Sequence, residues 1–234
     1  MNSYRIFLTA FLVAAFSVHT SSRAQDLPAD QQKTQLSARP WIFSSQATEI
    51  ELALSSCPEH LRADSTVYVF GVDGYRRARV GSNGFTCLVN RDGFQSGEKA
   101  IRPTCWDAEG SATILPVMLR VGELIAKGRS ASEIERDIGT GFAAGRYSSP
   151  HKAGIAYMLR GDVLIDPNTE AISRTLFPPH YMFYAPGVSD ADIGTSAAAD
   201  KDRFALPFVY DGYSGGTRTG YIIVLASESR THAH

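Results

Sequence analysis

The sequence predicts an α+β fold with an antiparallel β-meander, a central helical hairpin and a β-rich C-terminal half. Three observations predict it. Asp73-Gly74 and Asn83-Gly84 separate three short runs rich in β-branched and aromatic residues, and both dipeptides accept the positive φ angles of tight turns. Residues 113–145 carry two apolar stripes at helical spacing with a capping signal between them. After Tyr147 the chain again breaks into short β-like runs punctuated by Pro, Gly and Asp. Strands, then helices, then strands argue for segregated elements rather than a regular βαβ alternation.

In chain order, Ile50, Leu54, Cys57 and Leu61 recur at spacings of four, three and four, which predicts a helix over residues 46–56 that Pro58 breaks or restarts. The meander strands are Thr66–Phe70, Tyr75–Val80 and Phe85–Val89, and residues 90–104 read as a polar loop. Ile114, Val117, Met118, Val121, Leu124 and Ile125 form one face of a helix over Thr113–Lys127, with Pro116 inside its first turn and Gly128 at its end. Ser130-Ala131-Ser132-Glu133 is a capping-box pattern, so a second helix starts near Ala131 and places Ile134, Ile138 and Phe142 on one face. The later strand candidates are Gly154–Leu159, Val163–Ile165, His180–Tyr184, Phe204–Tyr210 and Tyr221–Leu225; Pro207 weakens the fourth or places it at an edge.

Composition bounds the function. The 234 residues are 44% hydrophobic and 20% charged, enough apolar content for a packed core. A formal charge of −1 offers no basic excess, so no nucleic-acid partner is expected. Residues 1–24 have the three parts of a secretory signal peptide: Arg5, an apolar run from Ile6 to Val18, and the small residues Ser22 and Ala24 before a cleavage site. That run is too short to span a bilayer, and no span is expected after cleavage. Removing it leaves 21 basic against 24 acidic residues. The expected organisation is a signal peptide at 1–24, a flexible lead-in at 25–44 with Trp41 and Phe43 docked on the body, one α+β domain at 45–226, and a tail at 227–234. The expected location is periplasmic or extracellular.

Cys57, Cys87 and Cys105 allow three single bridges. The pair Cys87–Cys105 is favoured, because Cys87 lies in a strand-like run and the following polar loop can return Cys105 beside it. Cys57 is then a free, buried thiol.

No motif names a reaction. Gly139-x-Gly141-x-x-x-Gly145 has neither the spacing nor the strand-to-helix context of a dinucleotide loop. No cofactor or resident metal is expected. The catalytic candidates are His180, His151, Asp107 and Glu109. His180 follows two prolines at a strand entrance, where it shares a face with Met182 and Tyr184 and is placed for a general base, a ligand or a structural hydrogen bond. Asp107 and Glu109 precede a helix and read either as paired carboxylates or as charges stabilising its N-terminus. Ser149 and His151 stand close enough in sequence to read as a hydrolytic pair, with no third member identifiable from spacing. Asp190 and Asp192 lack the oxygen series of a calcium loop.

Residues 83–87, 107–110 and 179–186 resemble segments of an uncharacterised family of exported bacterial proteins with no assigned function. The resemblance implies no reaction or ligand. With no specific catalytic constellation, the residues favour an exported ligand- or partner-binding envelope protein over a small periplasmic hydrolase or metal-dependent enzyme using His180 with an acidic group. The expected partner is a small molecule or another envelope protein.

Overall fold

A computed structural model describes residues 41–94, 99–195, 206–211 and 216–226. The signal peptide, most of the lead-in, the 227–234 tail and the start of the Phe204–Tyr210 strand candidate fall outside these residues. Within them the chain is α+β, built from α1 (Gln46–Leu54), α2 (Glu59–Arg62), β1 (Thr66–Gly71), β2 (Gly74–Arg79), β3 (Thr86–Asn90), β4 (Arg102–Trp106), α3 (Ala108–Thr113), α4 (Leu115–Ala126), α5 (Ala131–Ala143), β5 (Ile155–Met158), β6 (Asp162–Ile165), β7 (Ile172–Phe177), β8 (His180–Tyr184), β9 (Phe208–Tyr210) and β10 (Tyr221–Leu225). Eight strands form one mixed sheet in the order β2-β1-β3-β4-β5-β8-β10-β9, and β6 and β7 form a separate hairpin.

The expected meander is corrected by the strand pairing. β1 and β2 do form an antiparallel pair across Asp73-Gly74, but β3 does not continue beside β2. It crosses to the other side of β1 and runs parallel to it, with Thr66 opposite Thr86 and Val67 opposite Cys87. The composition of β2 accounts for this. Arg76, Arg77 and Arg79 stand on it, and a strand carrying three cations is suited to an edge, where charge blocks further pairing.

The second correction concerns the supposed polar loop, whose end is the fully buried strand β4. Arg102 and Pro103 disguised it. Cys87 and Cys105 face each other with Cα atoms 4.0 Å apart, the spacing of a non-hydrogen-bonded antiparallel pair. Val89 and Pro103, two residues along, belong to the same class. The missing proline N–H therefore lies on the β5 side, where β5 pairs only with Cys105 and Trp106. β7 and the six-residue helix α3 are further elements that hydrophobic periodicity did not indicate.

The two faces of the sheet hold two cores. Leu88, Trp106, Met158, Met182, Tyr184 and Ile223 face α4 and α5. Val67, Cys87, Val89 and Cys105 face α1, joined by Ile101 and Val163 at the hairpin. Gly122 lets α4 lie directly on β2, since a Cβ there would come within 2.3 Å of the Tyr75 ring. α4 and α5 are joined by four residues, and the Ser130–Glu133 capping box starts α5. Arg120 holds the two helices together through both oxygens of Asp137 at 2.9 and 2.8 Å.

Cys87 and Cys105 are bonded, with Sγ atoms 2.02 Å apart, and Cys57 is a buried free thiol. Burial pushes the Cys57 thiol up from its ordinary pKa, so it rests protonated.

At the end of β3, Arg91 is fully buried against Glu49 of α1, with Nη1 2.9 Å from Oε1. Its Nε donates to the Trp41 carbonyl, and its guanidinium lies 4.8 Å from the Phe70 ring centroid and 5.8 Å from that of Phe43. Glu49 also accepts the Phe70 N–H at 3.0 Å. Burial raises the Glu49 pKa, and the neighbouring Arg91 pulls against that shift. This charge pair ties α1, the residues just before it, β1 and β3 into one unit.

Candidate functional site

On the helix-covered face, the sheet and α4 do not meet completely. They leave a cavity of about 150 Å³ under Met118, walled by β4, β5 and β8 and by the far strands β9 and β10. A volume of this order admits an ion or a molecule about the size of benzene, and it is smaller than the pockets that hold drug-sized ligands.

The wall is largely apolar. Met118, Met158, Met182, Phe177, Phe208 and Ile223 supply it. Strand alternation puts them there: Met158 and Met182 stand on the neighbouring strands β5 and β8, with side chains on the same face of the sheet. Ile223 pairs with Met182 on the other side and Phe208 with Ile223.

The polar side of the cavity comes from Asn90, Asp92, Arg102, Thr104, Asp162 and His180. Arg102 donates from Nε to Asp162 at 3.0 Å and from Nη1 to Asp92 at 3.3 Å. Asn90 accepts the Asp92 N–H at 3.0 Å, and its amide nitrogen lies 3.3 Å from the Met118 sulfur. The Thr104 hydroxyl donates to the Arg102 carbonyl. These groups cross-brace the ends of β3 and β4 and the start of β6.

His180 is 2% exposed and opens β8. Its Nδ1 lies 2.8 Å from the Pro178 carbonyl. A carbonyl can only accept, so Nδ1 carries the proton and Nε2 keeps its lone pair. The Phe177 ring meets the imidazole edge to face at 4.9 Å between centroids. Burial lowers the His180 pKa below its usual value, against smaller opposing effects from the Pro178 carbonyl and Asp162, and the ring is neutral near pH 7. The result is a neutral imidazole with a fixed tautomer, on a cavity also lined by Met118, Met158 and Met182.

The other sequence candidates stand elsewhere. Asp107 caps α3 by accepting the Gly110 N–H at 3.0 Å, accepts the Ile155 N–H at 2.9 Å, and accepts the Tyr184 hydroxyl at 2.7 Å. Burial and the neighbouring Asp107 carboxylate push the Tyr184 phenol far above its ordinary range. Glu109 accepts the His151 main-chain N–H at 2.6 Å and faces Lys152 at 4.0 Å, while His151 is exposed. The two acids therefore hold different parts of the chain. Asp107 supports packing strongly enough to measure: Asp107→Ala removes a cap, leaves the Ile155 N–H without its acceptor, and leaves the Tyr184 hydroxyl with only the Ile155 carbonyl at 2.9 Å. The expected loss is about 2–4 kcal/mol in urea unfolding. A loss within about 0.5 kcal/mol of zero would show that the three bonds contribute nothing net. Asp192 closes a turn with Ser189, and Asp190 accepts the Val209 N–H at 2.6 Å.

Sequence reading isolated His180 and its shared face with Met182. It missed Arg102, Asp162 and the convergence of the methionines. Arg102 lay in a segment read as loop, and Met118 reaches the site from a helix whose docking depends on the whole sheet.

No family model, curated protein or solved structure matches this chain.

Proposed function

We propose that the chain is an exported binding protein of the cell envelope that holds a small ligand in the cavity beneath α4. The carrying observation is His180: buried, neutral, held in one tautomer by a main-chain carbonyl, and set on the rim of an apolar cavity. A general base paired with an acid would contact a carboxylate. The His180 hydrogen bond among the described residues goes to Pro178 instead, and the acids nearest in the cavity wall are engaged with Arg102. Export is supported by the signal-peptide pattern and is compatible with the Cys87–Cys105 bridge. Among the described residues no helix is long and apolar enough to cross a membrane.

The test is thermal unfolding of parent and His180→Gln with and without small apolar ligands, each between pH 5 and 7.5. A ligand at a hundred times its Kd adds about 2.7 kcal/mol to the parent, a rise visible in Tm. The pH series isolates the imidazole. A histidine with a lowered folded pKa leaves stability intact above about pH 6.5 and reduces it as pH falls toward the folded value, because the unfolded chain takes up the proton first. His180→Gln is expected to flatten that acid-side decline. A Tm that no ligand raises, with identical pH curves for the two proteins, would refute the reading.

A further inference from the structure

We infer that the cavity ligand is a soft monovalent cation, Cu(I) or its analogue Ag(I), bound by the sulfurs of Met118, Met158 and Met182 and by Nε2 of His180. This rests on the cavity being the binding site and adds its ligand class. The sequence contains four methionines, one of them Met1, and the other three all line this one cavity. Beside them stands the one buried histidine among the described residues.

The placement suits convergence. Met158 lies directly across the strand pair from His180, so their Cβ atoms are about 5 Å apart. Met182 is two residues along the same strand, on the same face and about 7 Å away. Met118 enters from α4 on the opposite wall. Three-bond thioether side chains span such gaps easily. The His180 Nδ1–H is donated to the Pro178 carbonyl, the outer hydrogen bond that fixes a ligating imidazole with Nε2 toward a metal.

The donor set selects the ion. Thioethers and an uncharged imidazole are soft, neutral ligands, which favour Cu(I) over Mg²⁺, Ca²⁺ or Zn²⁺. Harder ions need carboxylates, and Asp92 and Asp162 are engaged with Arg102. Methionine also fills irregular cores without any ligand role. What sets these three apart is that all of them line one cavity together with His180; the Met118 sulfur there lies 3.3 Å from the Asn90 amide nitrogen, a contact that a bound cation replaces.

The test titrates Ag(I), which needs no reductant, into Cys57→Ser protein so that the free thiol cannot compete, and follows the methionine methyl resonances by NMR. All three cavity methyls are expected to shift together and saturate at one ion per chain. The volume-conserving Met158→Leu/Met182→Leu variant is expected to bind at least about tenfold more weakly while unfolding cooperatively. Unmoved methyls, or a double variant that binds as well as the parent, would overturn the assignment. Xenon, which enters dry apolar cavities, is run in the same spectra. If xenon shifts the methyls and silver does not, the metal assignment falls and the cavity remains a binding site. If neither shifts them, both readings fall.

Discussion

Replacing Arg91 with Met is expected to cost about 3–5 kcal/mol of stability, because it leaves Glu49 buried with no cation beside it. Arg91 is 0% exposed and Glu49 2%, so water cannot take over either charge. In a domain of this size the change lowers Tm by roughly 10 °C. The effect exceeds the hydrophobic area of one side chain, since the Trp41 carbonyl also loses the Arg91 donor and the Val89 carbonyl keeps only the Tyr75 hydroxyl. Adding Glu49→Gln to Arg91→Met removes the lone charge and keeps an acceptor for the Phe70 N–H. The double variant should therefore be more stable than the sum of the two single losses predicts. A double-mutant cycle in guanidinium unfolding measures this. Strict additivity would show that the two groups do not act as a unit.

The second large effect is expected from the bridge between β3 and β4. Closing a loop with a sequence separation of 18 restricts the unfolded chain by about 3 kcal/mol on the chain-entropy model. Cys87→Ala/Cys105→Ala should lose about that much in unfolding measured without reductant. The double variant is the clean comparison. The three Sγ atoms lie within 4.8 Å of one another, so a single substitution leaves Cys57 beside the surviving partner. Non-reducing peptide mapping of the parent provides the companion result, a Cys87–Cys105 peptide and an unmodified Cys57. A double variant as stable as the parent would mean that the bridge adds nothing beyond the packing around it.

These two features differ in how far the sequence disclosed them. The cysteine pairing was legible because only three bridges were possible and one cysteine lay in a recognisable strand. The Glu49–Arg91 pair was not. Glu49 reads as an ordinary polar position on α1, and Arg91 as the start of a loop, until β1 and β3 are placed side by side. Short runs of aromatic and β-branched residues bounded by turn residues were legible to the residue: His180–Tyr184 and Tyr221–Leu225 are β8 and β10. Arg102–Trp106 was hidden because its arginine is neutralised by Asp92 and Asp162, which lie 10 and 60 residues away in sequence. The face shared by His180 and Met182 followed from strand periodicity. Their meeting with Met158 and Met118 depended on pairing across the sheet, which local pattern does not carry.

The order of the strands also sets the pace of folding. β4 and β5 are neighbours, with Trp106 opposite Ala156, yet the whole helical pair lies between them in the chain. β1 must find β3 in parallel across an intervening strand, and β10 completes the wall only after residue 221. Contacts so distant in sequence must overcome loop-closure entropy before they stabilise anything, which places folding in the milliseconds-to-seconds range. Until β5 docks, one edge of β4 is open, and its neighbours on that side are among the last segments to be synthesised. The cationic edge formed by β2 is complete much earlier, so the half-built sheet grows safely from only one side.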